Sequence, residues 1–396
     1  MWMVVVLATA IQSCYALFIW SDATPQYLNE RREIPQYITD YAPVVRLYSE
    51  EKYLPYDVVD YVTHFTLKDS SRQNVSADGG PLSLSDLGLV QALSSESPLY
   101  LSSLEDFSLE PEWLTGSKNI PDIDTGTLKN APAVLIVMDK GGGVVDSFWF
   151  FFYSFNLGPF VMGSGPYGNH IGDWEHCLIR FKNKEPELLW MSAHGGGSAY
   201  YFEAMEKYEK DDNRPVLFAA RGTHANYATA GQHSHDIPYH MLSDFTDRGP
   251  LWDVKNNYLA YVYDGSNIYP SNGTDPTREM ELGGWLTYLE RWGDQKLLPE
   301  DPRQSYHPFE WRMIDGPTGP LTKNLDRQYP CQRSKWWNFF KTCKVRRQLV
   351  MGEGIEGEGG TCARVFDSIH PKWLSWLLTV VLGDGYICLV VDRLWG

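Results

Sequence analysis

Between residues 168 and 181 the chain reads GNHIGDWEHCLIRF. His170, Asp173, Glu175 and His176 fall within seven positions and then run into an apolar segment. Such a set is either a polar loop or a site for metal or acid–base chemistry. In an extended chain side chains repeat every two residues, so Asp173 and Glu175 share a face while Trp174 packs on the other. Two carboxylates on one face repel unless a cation or a proton lies between them. His170, three residues earlier across a glycine turn, is placed to add a nitrogen. His176 falls on the opposite face, as a satisfied structural histidine. One imidazole with two carboxylates suits Mg²⁺, Ca²⁺ or Mn²⁺ where oxygen dominates, and Zn²⁺ or Fe²⁺ where imidazole dominates.

Seven of the ten histidines lie between residues 170 and 240. Two of them end apolar runs beside glycine: His194 in LLWMSAHGGG and His224 in VLFAARGTH. Strand ends cluster in space, so His170, His194 and His224 are expected at one rim. A second reading follows from the same residues. A bound ion would lower the pKa of a water, and His194 or His224 would act as general acid or base in a hydrolase or lyase. His233, His235 and Asp236 in GQHSHD read as a solvated turn. No nucleophile elbow is present, and Gly195–Gly197 lacks the strand and helix of a nucleotide loop.

The elements that must position these residues are short strands. APAVLIVMD, KGGG and VVDSFWFFFYSFN predict a hairpin over 131–156. WEHCLIRF, ELLWMSAH, RPVLFAARG and NNYLAYVYD follow, separated by Gly, Pro, Asn and charged turns, with YFEAMEKYEKDDN a short helical turn between two of them. The fold class expected is all-β dominated: an antiparallel β-sandwich with long loops and a few short helices. The chain divides into a signal peptide (1–16), a decorating segment packed on the core (22–130), a central sandwich carrying the site (131–265), a loop-rich extension (266–330) and a Cys-containing tail (331–396). Helices are expected near Val58–Val62, within PLSLSDLGLVQALS and within GGWLTYLERWG.

A chain of 396 residues, 43% hydrophobic and 14% aromatic, can bury a large core. Its net charge of −16 argues against a nucleic-acid partner. The uncharged start, MWMVVVLATAIQSCYA, reads as a secretory signal cleaved near Ala16. Secretion suits NVS at Asn74 and NGT at Asn272 as N-glycan acceptors, and disulfides among Cys331, Cys343, Cys362 and Cys388, with Cys177 left as a buried thiol. The terminal WLSWLLTVVLGDGYICLVVDRLW is interrupted by Gly383, Asp384 and Gly385, which favours a packed hairpin over a membrane span and leaves peripheral membrane contact open.

Taken in order, YAPVVRLYSEEKYLP (41–55), FWFFFYSFN (148–156), GNHIGDWEHCLIRF, SAHGG and GTHANYA (222–228) resemble the vacuolar protein sorting-associated protein 62 family of fungi and plants. The resemblance runs from about residue 41 to 260. It implies a role in vacuolar protein sorting and a secreted or vacuolar, endomembrane-lumen location. A more distant likeness joins DWE to the necrosis- and ethylene-inducing peptide-like proteins, whose GHRHDWE motif holds a divalent cation at a lipid-binding rim. That likeness implies a cation held by His170, Asp173 and Glu175, with Asn156 where the motif has an upstream Asp, and Gly172 where it has a second His. Mg²⁺, Ca²⁺ or Mn²⁺ is then expected ahead of Zn²⁺, with a lipid or glycan headgroup as ligand and His194 and His224 as further ligands or as groups that orient them.

Overall fold

The computed structural model describes residues 32–349 apart from 76–78, 91–96, 161–164, 235–241, 272–282, 308–309, 333–342 and 344, together with 371, 373, 374 and 377. The signal segment, Asn272, His235, Asp236, Cys362, Cys388 and nearly all of the terminal apolar stretch lie outside the described residues.

In chain order the strands begin β1 (Val44–Arg46), β2 (Phe65–Lys68), β3 (Tyr100–Ser103), β4 (Ala133–Gly141), β5 (Val144–Asn156), β6 (His170–Lys182) and β7 (Glu185–Ala193). They continue as β8 (Gly196–Tyr201), β9 (Lys207–Tyr208), β10 (Asp211–Ala219), β11 (Asn226–Tyr227), β12 (Gly231–Ser234) and β13 (Ser243–Thr246). The remainder are β14 (Leu251–Asp253), β15 (Tyr258–Tyr263), β16 (Ile268–Pro270), β17 (Tyr306–His307), β18 (Glu310–Trp311) and β19 (Val345–Arg346). Four short α-helices join them: α1 (Gln36–Asp40), α2 (Val58–Val62), α3 (Leu84–Val90) and α4 (Glu112–Thr115). The protein is mostly β, in several sheets, as a sandwich requires.

The large sheet has the order β16-β15-β4-β5-β6-β7-β8-β19. Its centre is the antiparallel run β4–β8, closed at the first turn by Gly141–Gly143 with positive φ. The aromatic run of β5 explains why this sheet is central. Phe148, Phe150 and Phe152 enter one core, and Trp149, Phe151 and Tyr153, pointing the other way, enter a second. A strand apolar on both faces must be covered on both.

The first cover is a smaller sheet, β11-β10-β1-β14, with β9 also on β10. Val45 of β1 stands between Leu217 and Trp252, and all three pack with Trp149 and Phe151. Buried Arg214 fastens this sheet with two bonds to the Asp253 carboxylate and one each to the Ala42 and Pro43 carbonyls. The second cover is helical and irregular. Tyr61 and Val62 of α2, Leu84 and Leu87 of α3, Trp113 of α4 and the Trp285–Trp292 segment close over Phe150, Phe152 and Trp174. α2 starts where Asp57 accepts from the Val59 N–H, and Ser83 just before α3 is bonded to Asp86. Within the expected helical turn at 201–213 only Phe202–Ala204 is helical, as a 3₁₀ turn, while Tyr201 ends β8 and Lys207–Tyr208 and the residues from Asp211 onward form β9 and β10.

Cys331 and Cys343 form a disulfide beside the β8–β19 pairing, and Cys177 is a buried free thiol. Among the described residues no helix is long and apolar enough to cross a membrane.

Candidate functional site

The β5–β6 register sets Tyr153 opposite Asp173, Phe151 opposite Glu175 and Trp149 opposite Cys177. Asp173 and Glu175 therefore lie on the face that meets the smaller sheet, and both are buried. Trp174 points into the other core, as the two-residue period requires. The alternation breaks at Gly172. Ile171 and Trp174 enter the same core, so the chain turns over between them and His170 comes back towards Asp173. Gly172 has φ +69°, a backbone that L side chains rarely adopt, and a Cβ there would run into the Trp292 carbonyl.

His170 is partly buried, and its Nδ1 lies 2.7 Å from the Gly172 carbonyl. A carbonyl only accepts, so Nδ1 carries the proton and Nε2 keeps its lone pair. Burial lowers the pKa of this ring and holds it neutral, against the pull of Asp173. A neutral imidazole with a free Nε2, oriented through Nδ1 by a backbone carbonyl, has the electronic form of a metal ligand.

His224 sits differently. It is 1% exposed, at a φ of 54°, and stacks at 3.7 Å on the Tyr153 ring. Nε2 donates to the Tyr53 carbonyl at 2.9 Å, and Nδ1 meets Asp173 Oδ2 at 3.0 Å. Glu51 Oε1 stands 3.8 Å from Nε2. With both nitrogens donating, the ring is an imidazolium. Burial lowers its pKa, but the bonds and charges of Asp173 and Glu51 outweigh burial and raise it to about 9. A ring in that state has no lone pair to serve as a general base.

Glu51 was not among the residues expected at this site. It lies in YSEEKYLP, on the turn after β1, and its carboxylate accepts from the Gly222 N–H at 2.7 Å and the Tyr53 N–H at 2.9 Å. Burial pushes its pKa up, yet the bond and charge of His224 and these two amides hold it below the ordinary value. Its partners Gly222 and His224 are about 170 residues away in sequence, so no local pattern marks its role at the site.

Among the described residues Glu175 has no salt-bridge partner of its own. Its carboxylate accepts from the Ser192 hydroxyl, which in turn accepts from the His176 N–H. Burial first, and the Asp173 charge second, push its pKa well up, with Ser192, Lys323 and His224 pulling the other way. The expected repulsion on this face shows as this raised pKa, which favours the protonated form of Glu175.

The other expected residues are placed as follows. Asn156 pairs in register with His170, and its Nδ2 donates to the Gly168 carbonyl at 3.1 Å. His194 does not reach Asp173. It pairs with Asp244 at 2.7 Å, and the same carboxylate takes Thr223 and Tyr227 hydroxyls. Thr223 precedes His224, so Asp244 links the two histidine positions without bringing their rings together. His176 is on the opposite face as expected, but it is packed rather than hydrogen-bonded. It stacks on Phe150 at 4.7 Å, and neither ring nitrogen has a hydrogen-bond partner among the described residues. His233 bonds Thr229 and Thr246 and is buried, not solvated, because β12 pairs with β13 over it. Among the described residues no group of three His, Cys, Asp or Glu side chains stands at metal-ligand spacing.

The site therefore defines a class: a β-sandwich with a cation-poor cluster of carboxylates buried between its sheets. The description of vacuolar protein sorting-associated protein 62 matches residues 21–295. The Saccharomyces cerevisiae vacuolar protein sorting-associated protein 62 is 48% identical over 93% of this chain and 84% of its own. A putative vacuolar protein sorting-associated protein of the same yeast, TDA6, is 45% identical over 91% and 83%. The chain belongs to the vacuolar protein sorting-associated protein 62 family. Among solved structures, necrosis and ethylene inducing protein 2 from the agent of cocoa's witches' broom disease is 12% identical, covering 51% of this chain and 73% of its own, at a TM-score of 0.25. That superposition is too loose to carry a functional reading.

Proposed function

We propose that the protein serves vacuolar protein sorting in the lumen of the secretory pathway, as a binding module rather than a catalyst. In this reading a divalent cation at Asp173, Glu175 and His170 engages a lipid or glycan headgroup. The family supports the trafficking role. The Cys331–Cys343 disulfide supports an oxidising compartment.

One observation carries the cation: Asp173 and Glu175 are buried on one face with no Lys or Arg salt-bridge partner among the described residues, beside a neutral His170 whose Nε2 lone pair is uncommitted by its Nδ1 bond. The donor set is oxygen-rich and suits Mg²⁺, Ca²⁺ or Mn²⁺ better than Zn²⁺. Binding has to draw these donors to ligand spacing and work against the raised pKa of Glu175. His224 and Glu51 then act as supports that orient Asp173, and Asn156 holds the Gly168 turn from which His170 emerges. The ion would supply a positive anchor for an anionic or hydroxylated headgroup.

The test is vesicle co-sedimentation of the full chain. Vesicles of phosphatidylcholine carrying anionic or glycosylated lipid are expected to bind it with Ca²⁺, Mg²⁺ or Mn²⁺, to release it on chelation, and to fail with the Asp173→Asn variant. Binding indifferent to chelator and to Asp173→Asn would overturn the reading.

A further inference from the structure

Two side chains between the sheets carry polar atoms left unanswered among the described residues. Asn226 is 2% exposed, and neither its amide oxygen nor its amide nitrogen has a hydrogen-bond partner there. The buried Tyr153 hydroxyl is unpaired in the same way. Buried polar groups in native folds are nearly always bonded, so each of these asks for a partner. Asn226 asks most strongly, because an amide carries two donors and an acceptor and here both ends go unmet.

Register fixes where the amide points. Asn226 of β11 pairs with Ala219 of β10, and cross-strand partners share a face. Ala219 belongs to the core between the two sheets, with Leu217 on its own strand and Tyr153 and Cys177 on the large sheet. The next residue, Tyr227, points the other way, stacks on His233 and reaches Asp244. The Asn226 amide is therefore aimed at the large sheet, where β11 packs against β6 and β7. Two residues earlier, His224 bonds Asp173 at 3.0 Å and stacks on Tyr153. Two residues span at most about 7 Å of chain, so Asn226 lies over the near end of β6. Tyr153 stands opposite Asp173 in the β5–β6 register and shares its face. Both unpaired groups thus look into the carboxylate cluster from the inside, opposite the partly buried His170.

We propose that Asn226 is the inner ligand of the divalent cation: its Oδ1 binds the ion from the side of the smaller sheet, its Nδ2 donates to the carboxylates, and the Tyr153 hydroxyl orients them. This role rests on the cation reading of the cluster. Among the described residues the acids and imidazoles do not stand at ligand spacing by themselves, and Asn226 supplies a further oxygen. An amide oxygen is a hard neutral donor of the kind oxygen-preferring ions accept. It adds coordination without adding charge to a face where two carboxylates already repel. The same amide carries donors for the carboxylates on its other end, so one ion answers both halves of the side chain. A bare divalent cation is smaller than a water molecule, so it can sit against atoms that water does not reach. Asn226 then closes the inner side of the site, and the His170 side stays open to a headgroup.

An asparagine kept for the fold and one kept for an ion respond oppositely to Asn226→Leu, which preserves size and removes the polar atoms. The full chain is titrated with Mn²⁺, followed by the electron paramagnetic resonance of the free ion, and melting temperatures are read in chelator. Wild type is expected to bind about one Mn²⁺. Asn226→Leu is expected to weaken binding about tenfold or more, with a melting temperature in chelator equal to or above that of wild type. Tyr153→Phe is expected to weaken binding less, again without loss of stability in chelator. Mn²⁺ held by Asn226→Leu as tightly as by wild type would overturn the role of Asn226 and leave the cation reading standing. A melting temperature of Asn226→Leu well below wild type in chelator would also overturn it, by showing the amide bonded as part of the fold. A larger loss in Tyr153→Phe than in Asn226→Leu would make the phenol the ligand instead. No Mn²⁺ on wild type would overturn this role and the cation reading together.

Discussion

Two ionic sites are buried on one strand, at opposite ends of β6, and they are built in opposite ways. At the far end Arg180 makes two bonds of 2.7 Å to Asp146 and further bonds to the Gln328 and Arg327 carbonyls. Lys140 stands 3.7 Å from the same carboxylate. The Asp146 carboxylate is fully answered there, with Arg327 packed beside it over Phe148 and Trp190, and the arrangement ties β5 and β6 to the 326–330 loop. At the near end Glu51, Asp173 and Glu175 share the buried imidazolium of His224, and among the described residues the partly exposed Lys323 adds positive charge from outside. No arginine pairs with that end among the described residues, and the pKa of Glu175 is raised instead. A fully paired cluster reads as structure. One left short of positive charge, beside a neutral imidazole, reads as a place for a ligand.

The comparison can be broken by substitution at each end. Arg180→Ala should have the largest effect, because it strands the fully buried Asp146. A loss of roughly 3–5 kcal/mol is expected in urea denaturation, and a loss below about 1 kcal/mol would mean the pair is not structural.

His224→Gln comes next. A histidine raised to about 9 in the fold contributes stability that is complete below its ordinary value of about 6.5 and is lost as the pH climbs to about 9. The contribution is on the order of 3 kcal/mol at the acidic side. Wild type should therefore lose stability between about pH 6.5 and 9. Glu175, a carboxyl with a raised pKa, loses its share in the same direction as the pH rises, so His224→Gln should remove much of the slope but not all of it. An unchanged slope would mean His224 is neutral in the fold.

Gly172→Ala should cost roughly 2 kcal/mol or more, from the left-handed backbone and the collision with the Trp292 carbonyl. It should also disturb His170, whose Nδ1 bond runs to the Gly172 carbonyl, which a simple loss of packing elsewhere would not do. Glu175→Gln has the smallest expected effect and the most telling sign. It keeps an acceptor for Ser192 and removes an ionisable group that is strained at high pH. It should stabilise the fold more at pH 8 than at pH 5. A destabilised Glu175→Gln at pH 8 would place this carboxylate with the Arg180 type of site.

The sandwich was legible because its strands carry their own patterns. The aromatic run 148–153 and the GGG turn determine β5 and its hairpin by local chemistry. Asp173 and Glu175 share a face for the same reason. What sequence could not give was the far side of the cluster. Glu51 reads as an ordinary acid in a turn, and its role exists only because β1 threads into the smaller sheet parallel to β10. His194 and His224 carry the same strand-end signature, yet only His224 reaches Asp173. The difference lies in where Asp244 falls, on a strand pair whose own partner is short and local. His176 obeyed its facing but not its bonding, since an imidazole stacked on Phe150 beside Trp190 leaves no trace in spacing.

The most direct measurement is bound divalent ion per chain, by equilibrium dialysis of wild type, Asp173→Asn and Glu175→Gln against Mg²⁺, Ca²⁺, Mn²⁺ and Zn²⁺. The account predicts about one equivalent of an oxygen-preferring ion in wild type and none in either folded variant. No ion in wild type, or an ion retained by both variants, would contradict it and leave the near end of β6 as a structural polar network like the far end.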